Sequence, residues 1–302
     1  MASVESGLLK ALYESIVGRM AADPDMDLVT LRSMFEELGS LAKEPEDVTY
    51  AEIDQDGVRG LWCLPVGAPD DRAILYTHGG GFVGNTASSH RKLSAHLAGS
   101  AGVRVFSLEY RLAPEHPFPA QVEDSLAAYR WLRSQGLPPN QIATAGDSAG
   151  GNLAITLPLQ LKDLGEPAPA AVVAFSPWLD MEHLGETLKT NAEKDALVST
   201  AVVTMLSQMF LGQNGSPTAP LANPLFADFA GYPPLHVAAS TDEALFSDSE
   251  RLVERATNAG VTTELRAVND QQHVFPFLAG RAPEADEAIA AAAAWIRRHL
   301  AD

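Results

Sequence analysis

Basic residues are scarce in this chain. Its 302 residues include 21 Lys and Arg against 39 Asp and Glu, a formal net charge of −18. Such a surface repels phosphate backbones and anionic bilayers, so neither nucleic acid nor a membrane is an expected partner. Cysteine is almost absent. The lone Cys63 excludes an intramolecular disulfide, and its strand-like surroundings predict a buried, inert thiol. No apolar run approaches the length of a membrane-spanning helix. The opening stretch, MASVESGLLKALYESIVGRM, has neither a basic n-region nor an uninterrupted apolar segment. It reads as no signal peptide, and the cytoplasm is the expected compartment. Metal-ligand spacing is missing too: there is no H-E-x-x-H and no cysteine cluster, so no metal is expected. What is present, 46% hydrophobic and 20% charged residues, predicts a globular chain long enough for one large α/β unit.

The hydrophobic pattern alternates between periods of 2 and 3.6. Helices fit residues 5–20 and 27–41. Strands fit 48–53 and 58–64, joined through Asp56-Gly57, a hairpin signal. Further strands fit 73–77, 103–109, 142–145, 171–175, 235–239 and 262–268, with helices near 88–99, 119–135, 149–163, 247–259 and 283–300. This order predicts a mostly parallel sheet covered on both faces, with its active site at the C-terminal strand ends. Residues 1–45 and about 180–225 stand outside the alternation. Together they are expected to form a cap over a catalytic domain spanning 46–302.

Two glycine-rich loops compete for the chemistry. In "THGGGFVGN", 77–85, the glycines from Gly79 to Gly84 fit G-x-G-x-x-G, and Glu109 ends the next strand. That resembles a dinucleotide site with its ribose-binding acid. The reading fails on spacing. The following helix starts only after "NTASSH", too far on for its N-terminus to face a phosphate held by the glycines. No cofactor is therefore expected. The same backbone N–H groups can instead hold an oxyanion.

The second loop, "ATAGDSAGGNLA", contains Gly146-x-Ser148-x-Gly150, the G-x-S-x-G nucleophile elbow between a predicted strand and a predicted helix. A serine hydroxyl needs a base and an orienting acid, which follow in the chain order Ser, acid, His. His183 falls in the cap region and His236 inside a strand. His273 lies just past the last strand and is the expected base. Asp242 is the first acid past strand 235–239 and is the expected orienting group. Glu243 and Asp248 are its competitors, Asp248 having an ordinary reading as a helix N-cap. Gly80, Gly81 and Ala149 are the expected oxyanion donors. Phe82, Trp178 and Phe210 are candidate pocket-lining residues.

With "HGGGF" at 78–82, "YRLAPEHPFPA" at 110–120, "GDSAGGNLA" at 146–154, Asp242 and His273, the chain resembles the hormone-sensitive-lipase family of α/β-hydrolases, in its bacterial carboxylesterase branch. The resemblance implies an eight-stranded sheet, an N-terminal helical cap completed by an insertion after the sixth strand, and a triad on Ser148, Asp242 and His273. Many members carry Asp-Pro-Leu and His-Gly-Phe where this chain has Asp242-Glu243-Ala244 and His273-Val274-Phe275. Glu115 and His116 have no catalytic part in this reading and are expected to pack beside the elbow. The expected activity is hydrolysis of small carboxylic esters, lactones included, through an acyl-enzyme. The competing reading is a catalytically silent small-molecule receptor on the same scaffold, which typically lacks a triad member. The expected partners are thus a small ester or lactone and, at most, a second copy of the chain as a homodimer.

Overall fold

The computed structural model describes residues 2–300. An eight-stranded sheet runs through it in the order β1-β2-β4-β3-β5-β6-β7-β8. Its strands are β1 (Val48–Gln55), β2 (Val58–Pro65), β3 (Ala73–Thr77), β4 (Arg104–Leu108), β5 (Ile142–Asp147), β6 (Ala171–Phe175), β7 (Leu235–Ser240) and β8 (Thr263–Val268). Strands β1 and β2 form the expected hairpin over Asp56 and Gly57, both at positive φ, as a primed turn requires. Pairing is antiparallel for β1–β2 and β2–β4 and parallel from β4 onward.

The central strands are buried along their whole length, because helices cover both faces. Ile74, Tyr76, Val105, Val173 and Phe175 pack with α3 (Arg91–Ala101) and α9 (Pro283–His299). Leu75, Phe106, Ile142, Val172 and Val237 point the other way, toward α4 (Ala120–Ser134), α5 (Ser148–Asp163) and α8 (Phe246–Asn258). Helix α9 has Glu284 and Asp286 in its first turn and Arg297, Arg298 and His299 in its last, matching its dipole. Cys63 is fully buried, and burial pushes its thiol up to about 12. Among the described residues, no helix is long and apolar enough to cross a membrane.

The N-terminal residues form α1 (Gly7–Ala22) and α2 (Leu28–Glu36), and the predicted second helix ends in a 3-10 turn, Glu37–Ser40. Asp27 caps α2 by accepting the Thr30 N–H at 2.7 Å. Segment 180–225 contains α6 (Thr187–Thr190) and α7 (Thr200–Leu211). Leu197 packs against Ile16, Leu31, Met34 and Phe35, joining the insertion to the N-terminal helices. These helices also pack on the sheet. Leu9 and Tyr13, one helical turn apart on α1, are fully buried in the same cluster as Ile74 and Phe175 of the sheet.

Candidate active site

Each site residue hangs from the C-terminal end of a strand. After β3, the glycine loop turns back on itself, with the N–H groups of Val83 and Gly84 donating to Gly80 O at 3.1 and 2.9 Å. Gly80 has φ +114°, and a Cβ there would strike the Gly84 carbonyl oxygen. Only glycine makes this turn. Helix α3 begins at Arg91, seven positions past Gly84. Glu109 Oε2 accepts the Ala87 N–H at 2.9 Å.

After β5, Ser148 opens helix α5 with φ +50°, a strained conformation for a residue bearing a Cβ. The turn is so tight that a Cβ at Gly150 would strike the Thr77 and His78 carbonyl oxygens. The first-turn N–H groups of α5, Ala149 included, have no partner within the helix and carry its positive dipole end. Asp147 ties the two loops together: Oδ1 accepts the Tyr76 hydroxyl at 2.7 Å and the Gly79 N–H at 3.1 Å.

His273 follows β8 and is 3% exposed. Its Nε2 stands 2.9 Å from Ser148 Oγ. The Tyr13 hydroxyl donates to its main-chain carbonyl at 2.8 Å, so α1 supports the loop that carries it. On the far side of the ring, Nδ1 faces a carboxylate, and here the structure corrects the sequence. The carboxylate is Glu243, whose Oε2 lies at 3.5 Å, and not Asp242. Asp242 turns outward and reaches Lys194 Nζ at 3.0 Å. The physical reason is the turn. Strand β7 runs one residue past the predicted end, to Ser240, whose hydroxyl accepts the Asp242 N–H at 3.1 Å. The turn then folds Glu243 inward, where it is fully buried. A contact of 3.5 Å exceeds a formed hydrogen bond, but catalytic contacts are often long without substrate and tighten in the complex.

Ser176, invisible to the sequence reading, locks this arrangement. Its hydroxyl donates to Glu243 Oε2 at 2.6 Å while accepting the Val274 N–H at 3.1 Å. Burial pushes the Glu243 carboxyl up from the ordinary glutamate range, opposed by His273 and Ser176. At His273, burial favours the neutral ring. The Glu243 carboxylate, Asp195 and Asp147 together outweigh it and hold the imidazole above its usual range.

Asp248 is no N-cap. It sits in the first turn of α8, fully buried, and its Oδ2 accepts the N–H groups of Leu179 and Asp180 at 2.9 and 3.0 Å. His236 is buried within β7, and His183 stacks on Trp178. Glu115 forms a two-pronged pair with Arg32 of α2, at 2.8 and 2.7 Å, so it serves the docking of the N-terminal helices and not the elbow.

A small cavity of about 60 Å³ opens beside Ser148 and His273. Gly80, Gly81, Trp178, Phe35, Leu38 and Leu206 are among its walls. Of the three expected lining residues only Trp178 takes part. Phe82 and Phe210 are fully buried and stacked on each other, centroids 3.7 Å apart.

Comparison with known proteins places this geometry in context. A family model described as alpha/beta hydrolase fold matches residues 74–277. An acetyl-hydrolase of Streptomyces hygroscopicus is 35% identical, over 98% of this chain and 97% of its own. An esterase of Acinetobacter venetianus is 33% identical over 86% of each chain. The crystal structure of an esterase from the bacterial hormone-sensitive lipase family superposes with a TM-score of 0.94 at 40% identity, covering 100% of both chains.

Proposed function

This chain belongs to the α/β-hydrolase fold family, among the esterases of the hormone-sensitive-lipase type, and on that premise we propose that it is a serine carboxylesterase acting on small carboxylic esters, lactones among them. The observation that carries the mechanism is the 2.9 Å contact between His273 Nε2 and Ser148 Oγ, made beside an N-terminal helix end and two glycines.

Ser148 Oγ attacks the acyl carbon as His273 Nε2 takes its proton. Glu243 orients the imidazole through Nδ1 and stabilises the imidazolium that forms. The oxyanion that develops is held by the N–H groups of Gly80, Gly81 and Ala149. His273 then gives its proton to the leaving alcohol, and water repeats the sequence on the acyl-enzyme with His273 again as base. The small cavity with Phe35, Leu38 and Leu206 in its walls supports a short acyl group. A panel of p-nitrophenyl esters and simple lactones tests the reading. Turnover that falls steeply with acyl length is expected, and absence of turnover on every member would overturn it.

A further inference from the structure

The turn that carries Glu243 is not held by its own strand alone. Its main chain is gripped by three side chains of the insertion. Thr187 Oγ1 donates to Ala244 O at 2.8 Å. Asn191 Nδ2 donates to the carbonyls of Thr241 and Glu243 at 2.8 and 3.0 Å. Asp195 Oδ2 accepts the Ala244 N–H at 2.8 Å across 49 positions of sequence.

Asp195 has a second attachment. Its Oδ1 accepts the N–H groups of Leu197 and Val198 at 2.9 and 2.8 Å, and both residues line the cavity. That half alone would be an ordinary local turn made by an aspartate. The oxygen spent on Ala244 goes beyond it, because it fastens a distant turn to the same carboxylate. The neighbouring residues add a third tie. Gln272, next to His273, accepts the Ala196 N–H at 2.8 Å and donates to Lys194 O at 3.0 Å.

We propose that Asp195 is a positioning residue of this active site, fixing the Glu243 turn and the Leu197 and Val198 wall of the pocket to one buried carboxylate. The inference rests on the reading of Ser148, His273 and Glu243 as the triad. A one-carboxylate anchor keeps the acid and the acyl pocket in a single register. Its charge also acts at a distance. His273 is faced by Glu243 from the turn after β7, by Asp195 from the insertion, by Asp147 from the end of β5, by the Ser148 hydroxyl and, at its carbonyl, by the Tyr13 hydroxyl of α1. The three acids all favour the imidazolium that forms as Ser148 attacks.

The test compares Asp195→Asn, Asn191→Ala and Glu243→Gln, singly and in pairs, using p-nitrophenyl acetate and circular dichroism. Asp195→Asn keeps at best part of the acceptor set. It should lower kcat roughly 10- to 100-fold, the cost of a displacement near 1 Å, with far less change in KM. It should also move the acid limb of kcat/KM to lower pH, because a negative charge near His273 is gone. Asn191→Ala should lower kcat without moving that limb, since no charge changes. In the Glu243→Gln background either substitution should cost less than about threefold more, because residues acting through one group are not additive. Wild-type kcat with an unmoved limb in Asp195→Asn, or a full multiplication of losses in the double variants, overturns the proposal. Should Asp195→Asn not fold, Asn191→Ala and its pair with Glu243→Gln decide by the same non-additivity. Near wild-type activity in Glu243→Gln alone would instead sink the triad reading itself.

Discussion

Glu243 and His273 face each other at 3.5 Å, both almost wholly removed from water, while Asp242 spends its carboxylate on Lys194 at the surface. Exposed ion pairs of the second kind contribute about 0–1 kcal/mol to stability and nothing to a buried imidazole. Glu243→Gln should therefore lower kcat by roughly 10⁴-fold, since an amide permits the wrong tautomer of His273. Asp242→Asn should stay within a few-fold of wild type. Steady-state kinetics on both, at matched circular dichroism, settles the assignment; the reverse ranking would return the acid to Asp242.

Ser148 is expected to be the acylated residue. Ser148→Ala should cost on the order of 10⁶-fold in kcat. Fluorophosphonate labelling followed by peptide mass analysis should find the adduct on the peptide containing Ser148, and an adduct on another serine would end the mechanism.

The pH profile follows from the base. His273 must be neutral to accept a proton, so activity is present above its pKa and lost as pH falls through it. Burial lowers that pKa, but Glu243, with Asp195 and Asp147, holds it above the ordinary value of about 6.5. The acid limb of kcat/KM should accordingly lie above about pH 6.5 and move down in Glu243→Gln, measured on the residual activity. An acid limb well below pH 6 in the wild type would contradict the pairing.

Gly81 is hemmed in twice. Its φ is +63°, and a Cβ would come within 2.6 Å of Leu206 Cδ1 on α7. Gly81→Ala should tilt one oxyanion donor and lower kcat by roughly 10²–10³-fold. Adding Leu206→Ala relieves the clash but not the torsion, so recovery should be partial. Full activity in Gly81→Ala would remove Gly81 from the oxyanion set.

The N-terminal helices contribute Phe35 and Leu38 to the cavity wall, and Leu9 and Ile16 of α1 are fully buried. Each contributes about 1.5–3 kcal/mol of hydrophobic stabilisation, against a total near 5–15 kcal/mol. Deleting residues 1–45 should leave a chain that does not fold, as judged by thermal melting. The cover role is better tested by Phe35→Ala and Leu38→Ala. These enlarge the cavity and should shift preference toward longer acyl chains in the ester panel. A stable, active truncated protein would show that the buried face of α1 is dispensable.

The sheet and the two glycine-rich turns can be read from local sequence. Period-2 and period-3.6 patterns are local, so each strand and long helix could be placed within a few residues. The elbow at Ser148 and the turn at Gly80 are also legible, because a strained or crowded backbone admits few residue types. His273 could be placed because a residue just past a strand of this sheet lies at one edge. The choice between Asp242 and Glu243 was not local. Every residue of β7 is buried, so no alternation marks its faces, and a strand ending one residue later exchanges which acid turns inward. Ser176, Asp195 and Tyr13 were likewise hidden. Their roles come from contacts across 67, 49 and 260 positions, and only packing brings such residues together.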